Sequence, residues 1–158
     1  RDYYASRGLG DVYKRQIGEM AGKVLPEAFT CFTLSLDNLS ELTKRFGYTV
    51  GDGVLKDFAG LVQLMGDTEG MRGYNGVGRF VVFFEECSSK KAAAMIRILD
   101  NQVEEYNSLN PEYPIRYTAA WATTEETDTY EIRELLRLSQ KKWKQMEKEK
   151  KDKTEEGT

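Results

Sequence analysis

The segment Arg72-Gly73-Tyr74-Asn75-Gly76-Val77-Gly78-Arg79-Phe80 limits what this chain can fold into more than any other. Asn-Gly and closely spaced glycines suit a tight hairpin turn, whose residues need φ > 0. The turn runs directly into Phe80-Val81-Val82-Phe83-Phe84, an apolar run that has to be covered on both sides. A β-hairpin inside a buried sheet is therefore expected here, with strands near Met71–Tyr74 and Arg79–Glu85. Such a turn lets backbone N–H groups approach a phosphate with no side chain in the way. It carries no carboxylate, so on its own it can neither hold a metal nor act as a base.

The 158 residues are 40% hydrophobic and 31% charged, which suits one globular domain. No apolar run approaches the roughly 20 residues that span a bilayer, and no signal peptide is visible. A net charge of -3 gives no general reason to expect nucleic-acid binding. An RNA-binding sheet would need outward aromatics beside basic residues, whereas Phe83 and Phe84 run into Glu85 and Glu86. Cys31 and Cys87 lie in apolar runs without metal-type spacing and read as buried free thiols of a cytoplasmic protein. The chain has no histidine, which excludes Ser-His-Asp and Cys-His catalysis and His-ligated metals within it. Arg1–Gln16, above all Asp11-Val12-Tyr13-Lys14-Arg15-Gln16, resembles a translated sequencing-library adaptor, and residues 1–16 are set apart as a non-native leader on a truncated gene.

Residues 17–26 read as a helix remnant or linker ended by Pro26. Phe29–Leu36 reads as a buried strand. Asp37 and Asp52 are placed as N-caps of two helices, with Leu39, Leu42 and Phe46 on one face of the first and Val54, Phe58, Leu61 and Met65 on one face of the second. After the hairpin, Ser88 or Ser89 starts a longer helix, Ile115–Ala122 is a strand, and Glu131–Lys150 is a last helix with Ile132, Leu135, Leu136, Trp143 and Met146 inward. Residues 149–158 form a charged tail expected to be disordered. The order β-α-α-β-β-α-β-α predicts an α+β (α/β-like) domain with a mixed, mainly antiparallel sheet covered by helices.

That order, with an acidic strand end, a Gly-Asp helix start and a glycine hairpin, resembles the diguanylate cyclase (GGDEF) family over residues 27–148. Phe32-Thr33-Leu34-Ser35-Leu36-Asp37-Asn38-Leu39 resembles the family strand ending in Asp-x-Asp-x-Phe. Phe46-Gly47-Tyr48-Thr49-Val50-Gly51-Asp52-Gly53-Val54-Leu55 resembles its Gly-His-x-x-Gly-Asp-x-x-Leu segment, and Gly76-Val77-Gly78-Arg79-Phe80 falls at Gly-Gly-Asp-Glu-Phe. The resemblance implies a nucleotidyl-cyclase-like fold, GTP with Mg²⁺ as ligands, and cyclic di-GMP as product of a homodimer. The metal ions neutralise phosphate charge and help activate the attacking hydroxyl, which requires carboxylate ligands.

The departures from that pattern fall on the chemistry. The main metal-ligand position is Ser35, and Asp37 is left as a further metal candidate. The signature acids are replaced by Gly78 and by Arg79, whose permanent positive charge would repel a metal. The guanine-contacting positions are Thr43 and Asp52, of which only Asp52 keeps the family residue. Asn75, Gly76, Val77 and Gly78 complete the expected nucleotide-binding set. The product-inhibition motif Arg-x-x-Asp is absent at Asp67-Thr68-Glu69-Gly70. The resemblance therefore implies a degenerate, inactive domain serving as a regulatory, GTP-sensing or dimerisation module, with a homodimer or a cyclase or phosphodiesterase domain as the expected partner. The alternative is an active cyclase with non-standard ligands drawn from Asp37, Glu85 or Glu86.

Overall fold

The computed structural model describes residues 9–66 and 70–156. Its elements are α1 (Leu9–Met20), β1 (Thr30–Leu36), α2 (Leu39–Phe46), α3 (Tyr48–Gln63), β2 (Met71–Gly76), β3 (Arg79–Phe84), α4 (Ser89–Leu109), β4 (Tyr117–Thr123), α5 (Thr124–Thr127) and α6 (Ile132–Glu156). The strands form one sheet in the order β2-β3-β1-β4. The expected α+β class holds. All three strand pairs are antiparallel, so the parallel component expected of a mixed sheet is not found among the described residues.

β1 is a central strand, and every one of its residues is buried. Helices cover both faces. Phe32, Leu34, Val82 and Phe84 pack with Val54 and Phe58 of α3 and Leu99 of α4. Cys31, Val81, Phe83 and Ala122 pack with Ile17 of α1 and Ile132 and Leu135 of α6. A strand covered on two sides has no polar face, so its hydroxyls must find partners inside. Thr30 Oγ1 donates to Cys87 O at 2.6 Å, and Thr33 Oγ1 shares a 2.7 Å bond with Ser139 Oγ. Both cysteines are free and buried, as expected. Burial pushes the Cys31 thiol up to about 12, which makes it unreactive.

Several local expectations are corrected. Helix α2 starts after Asn38, and α3 starts at Tyr48 after Gly47, so neither Asp37 nor Asp52 is an N-cap. Asn38 pins the loop before β4 instead: its Nδ2 donates to Pro114 O at 2.7 Å and its Oδ1 accepts from Arg116 N at 3.2 Å. Ser88 does cap α4, accepting from Lys91 N at 3.1 Å. The helix expected from Ile17 begins at Leu9 and ends at Met20. The tail expected to be disordered from residue 149 is helical through Glu156, because Lys150 is tied to β4. The Asp67–Gly70 stretch, where the inhibitory motif would fall, has its residues 67–69 outside the described residues.

Arg72 fixes the hairpin to the end of α3. Its guanidinium donates to Met65 O at 2.7 Å, Gly70 O at 2.9 Å and Val62 O at 3.4 Å, and it lies 5.2 Å from the Phe84 ring centroid. A cation thus gathers carbonyls at and just beyond the C-terminal end of α3, where the helix dipole also favours it.

Candidate functional site

The hairpin turn is tighter than the sequence suggests, because Gly76 still pairs with Arg79. Val77 and Gly78 are its central residues, with φ of 55° and 76°. Positive φ at both positions is the geometry of a two-residue hairpin whose twist matches its strands. Asn75 lies in a register shift between Tyr74 and Gly76 at the end of β2. Val77 is a β-branched residue in the left-handed region, a strained conformation tolerated here by an 81% exposed side chain.

The sheet brings the expected positions together. Ser35 of β1 lies opposite Arg79 of β3 on one side and opposite Thr118 of β4 on the other. Leu36 N donates to Gly78 O at 2.8 Å, which locks the turn to the strand end. Gly78 N in turn donates to the Tyr74 hydroxyl at 2.8 Å. That N–H is thereby engaged within the hairpin. A Cβ built at Gly78 would stand 3.1 Å from Leu36 O, so the site is shaped around a missing side chain. Gly78→Asp, which supplies the family's acid, is expected to destabilise the domain by about 1–2 kcal/mol from the left-handed backbone alone. A urea titration showing no loss would mean that the Leu36 backbone yields to the new side chain.

Two relays of hydrogen bonds converge on Asp37. The Trp143 indole Nε1 donates to Ser35 Oγ at 2.7 Å, and Ser35 Oγ donates to Asp37 Oδ1 at 2.6 Å. From the other side, Lys150 Nζ donates to Thr118 Oγ1 at 3.1 Å, and Thr118 Oγ1 donates to Asp37 Oδ2. An indole N–H and an ammonium can only donate, so each hydroxyl must direct its own proton to the carboxylate. Both oxygens of Asp37 are thus engaged. The Arg79 guanidinium lies over the Trp143 ring, 4.8 Å from its centroid. Lys150 also donates to Tyr117 O at 2.6 Å, which fastens the end of α6 across the edge strand.

Thr43 and Asp52, the two positions expected to contact guanine, lie where α2 meets α3. Thr43 Oγ1 donates to Leu39 O at 2.9 Å within its own helix, and a Cβ at Gly51 would strike that oxygen, so the glycine is what lets the helices meet. Asp52 pairs with Lys56 at 3.0 Å, one turn on. Glu85 and Glu86 follow Phe84, which pairs with Thr30 at the opposite end of β1 from Ser35. Five strand steps separate Phe84 from Arg79, roughly 16 Å.

Trp143, Thr118, Lys150 and Tyr74 are the site residues that sequence reasoning missed. Trp143 appears there only as a stripe residue of α6 and Lys150 only as part of a charged tail. A buried tryptophan needs a partner for its N–H, which was the one signal available.

A four-stranded antiparallel sheet covered by helices, with a glycine turn locked to a polar strand end, defines a cyclase-like α+β domain. The profile of the family described as Diguanylate cyclase, GGDEF domain, matches residues 14–153, and the chain belongs to that family. Among solved structures, the active GGEEF domain of a diguanylate cyclase from Vibrio cholerae is similar at TM-score 0.70 and 17% identity, over 90% of each chain. An EAL/GGDEF domain protein from M. capsulatus is similar at TM-score 0.66 and 14% identity, over 86% of this chain and 87% of the other. A microbial GGDEF domain solved with cyclic di-GMP is similar at TM-score 0.55 and 22% identity, over 84% and 77%. No curated protein sequence matches the chain. No helix among the described residues is long and apolar enough to cross a membrane.

Proposed function

We propose that this GGDEF domain is catalytically silent and acts as a regulatory or dimerisation module in cyclic di-GMP signalling. The observation that carries the reading is the engagement of both Asp37 oxygens by two donor relays that start at Trp143 and Lys150. A divalent cation needs several free oxygen ligands. Here the remaining strand-end carboxylate accepts two hydroxyl protons, the neighbouring ligand position is a serine, and the flanking groups are an indole N–H, an ammonium and a guanidinium. These residues do not fit Mg²⁺. No group of three or more metal-ligating side chains is assembled among the described residues.

A GTP-sensing role rests on what is left for the nucleotide. Asp52 keeps one carboxylate oxygen outside its pair with Lys56, Thr43 is turned into its own helix, and the Gly78 N–H is taken by Tyr74. These partners favour a scaffold over a nucleotide sensor. The active-enzyme alternative would draw ligands from Glu85 and Glu86, at the far end of the strand from the turn.

Incubation with GTP and Mg²⁺ followed by chromatography is expected to yield no cyclic di-GMP. Its formation would overturn the reading. Calorimetric titration of the same sample separates the two silent roles, since a scaffold gives no binding heat with GTP near about 1 mM.

A further inference from the structure

β4 is one edge of the sheet, and it pairs with β1 over its whole length without a register shift. A regular edge of this kind offers its outer backbone groups to another strand. The opposite edge, β2, is broken by the register shift between Tyr74 and Gly76, which blunts such pairing. Alternate residues of an antiparallel strand turn their N–H and C=O toward the neighbour. Arg116 O accepts from Asp37 N, and Thr124 N donates to Phe29 O, so the even-numbered residues face β1. Tyr117, Ala119 and Trp121 therefore turn their backbone groups outward.

Two lysines of α6 occupy that edge. Lys150 Nζ donates to Tyr117 O at 2.6 Å, and Lys142 Nζ donates to Trp121 O at 3.1 Å. Ile132 and Leu135 of α6 pack on the face opposite α3 and α4, so the helix reaches round the edge through these two side chains. Both bonds are exposed to water, where an ammonium is held only weakly. Ala119, midway between them, carries no such cap among the described residues. Its flanks make the edge self-complementary. A two-fold axis at Ala119 sets Tyr117 of one copy opposite Trp121 of the other, on the α3/α4 face where these side chains lie. Both aromatics are partly exposed in the single chain, and cross-strand aromatic pairs stabilise an antiparallel seam. The Trp121 indole N–H is also left without a partner among the described residues.

We propose that the edge of β4 is a pairing surface for β4 of a second copy of this chain, held shut by Lys142 and Lys150. Pairing displaces both lysines from each copy and gathers four ammonium groups along one seam, where like charges oppose association. The inference goes beyond the silent-domain reading and does not rest on it, because no expected metal ligand or nucleotide contact lies on this edge.

Sedimentation of the whole chain, at concentrations up to about 1 mM, compares the natural sequence with Lys142→Ala/Lys150→Ala. The double variant is expected to self-associate at least about tenfold more tightly. Amide hydrogen exchange followed by NMR reads where the copies meet. The Ala119 N–H is expected to gain protection as the double variant associates, since it then enters a ladder between copies. Lys142→Ala alone leaves the relay to Asp37 intact and carries the test if the double variant fails to fold, with a gain of at least about threefold expected. No gain in association, or a gain with Ala119 exchanging as fast as in the unassociated chain, would overturn the proposal.

Discussion

Trp143→Ala is expected to destabilise the domain by about 3–5 kcal/mol, the range for deleting a buried large aromatic side chain. Trp143 is 6% exposed, sits under the Arg79 guanidinium and donates its N–H to Ser35. Its removal opens a void beneath the hairpin and takes the first donor out of one relay. Ser35 is then left without the bond that orients its hydroxyl, so the grip on Asp37 loosens as well. Trp143→Phe separates the two contributions. It keeps most of the ring area but not the N–H, and the loss is expected to fall to about 1–2 kcal/mol. Thermal and urea unfolding of both variants measure this. A Trp143→Ala loss below about 1 kcal/mol would mean that α6 does not seal the strand end.

The second large effect concerns the position where the family keeps its metal-binding acid. Ser35 is 4% exposed and its hydroxyl lies 2.6 Å from Asp37. Ser35→Asp puts a second carboxylate there, in a pocket with little water. Burial and the neighbouring like charge both favour the neutral form, so the introduced carboxyl has a folded pKa above its unfolded value of about 4. The sign of the pH dependence follows. The variant is most stable below the unfolded pKa and loses stability as pH rises through the folded one. A deficit of about 3 kcal/mol is expected at pH 7, shrinking as the pH is brought down toward 4. Urea midpoints compared at the two pH values give the result, and equal deficits at both would contradict it. Millimolar Mg²⁺ is expected to leave the deficit in place, because Arg79 and Lys150 still flank the site. Recovery with Mg²⁺ would revive the metal-dependent reading of this domain.

Both predictions depend on α6, and the reason lies in its charge and apolar pattern. Ile132, Leu135, Ser139 and Trp143 are buried, and that line carries the helix along β1 and β4. Continuing the helix beyond the apolar stripe looks unfavourable from sequence, since Lys148–Lys153 offers nothing to bury. The structure supplies the missing stabilisation by aiming Lys150 at a backbone carbonyl and a hydroxyl of the edge strand. A lysine can do this only when the strand edge is within reach, which no local pattern records.

The elements themselves were largely legible. β-branched and aromatic runs marked β1, β3 and β4, and the 3-4 spacing of apolar residues marked the helices. The helix starts at Asp37 and Asp52 were misplaced because a caplike aspartate before an apolar run is a local signal. The backbone here begins α3 right after Gly47 and gives Asp37 to two hydroxyls from other parts of the chain. The glycine hairpin was legible as a turn, but of the expected Asn75–Gly78 only Val77 and Gly78 form its centre. Cross-strand register with the locked end of β1 decided that, against the local preference of a valine.

By itself the sequence determined the α+β class, the hairpin and the family, and it puts Gly78, Arg79 and Ser35 where the family resemblance expects acids, because these depend on residue type and short-range spacing. Only the tertiary structure decided what took their place. Residues 35, 37, 118, 143 and 150 are scattered along the chain and meet through antiparallel register and the packing of one long helix. The donors and acceptors that fill Asp37 are set by distances in space, and a sequence does not contain those until the sheet has formed.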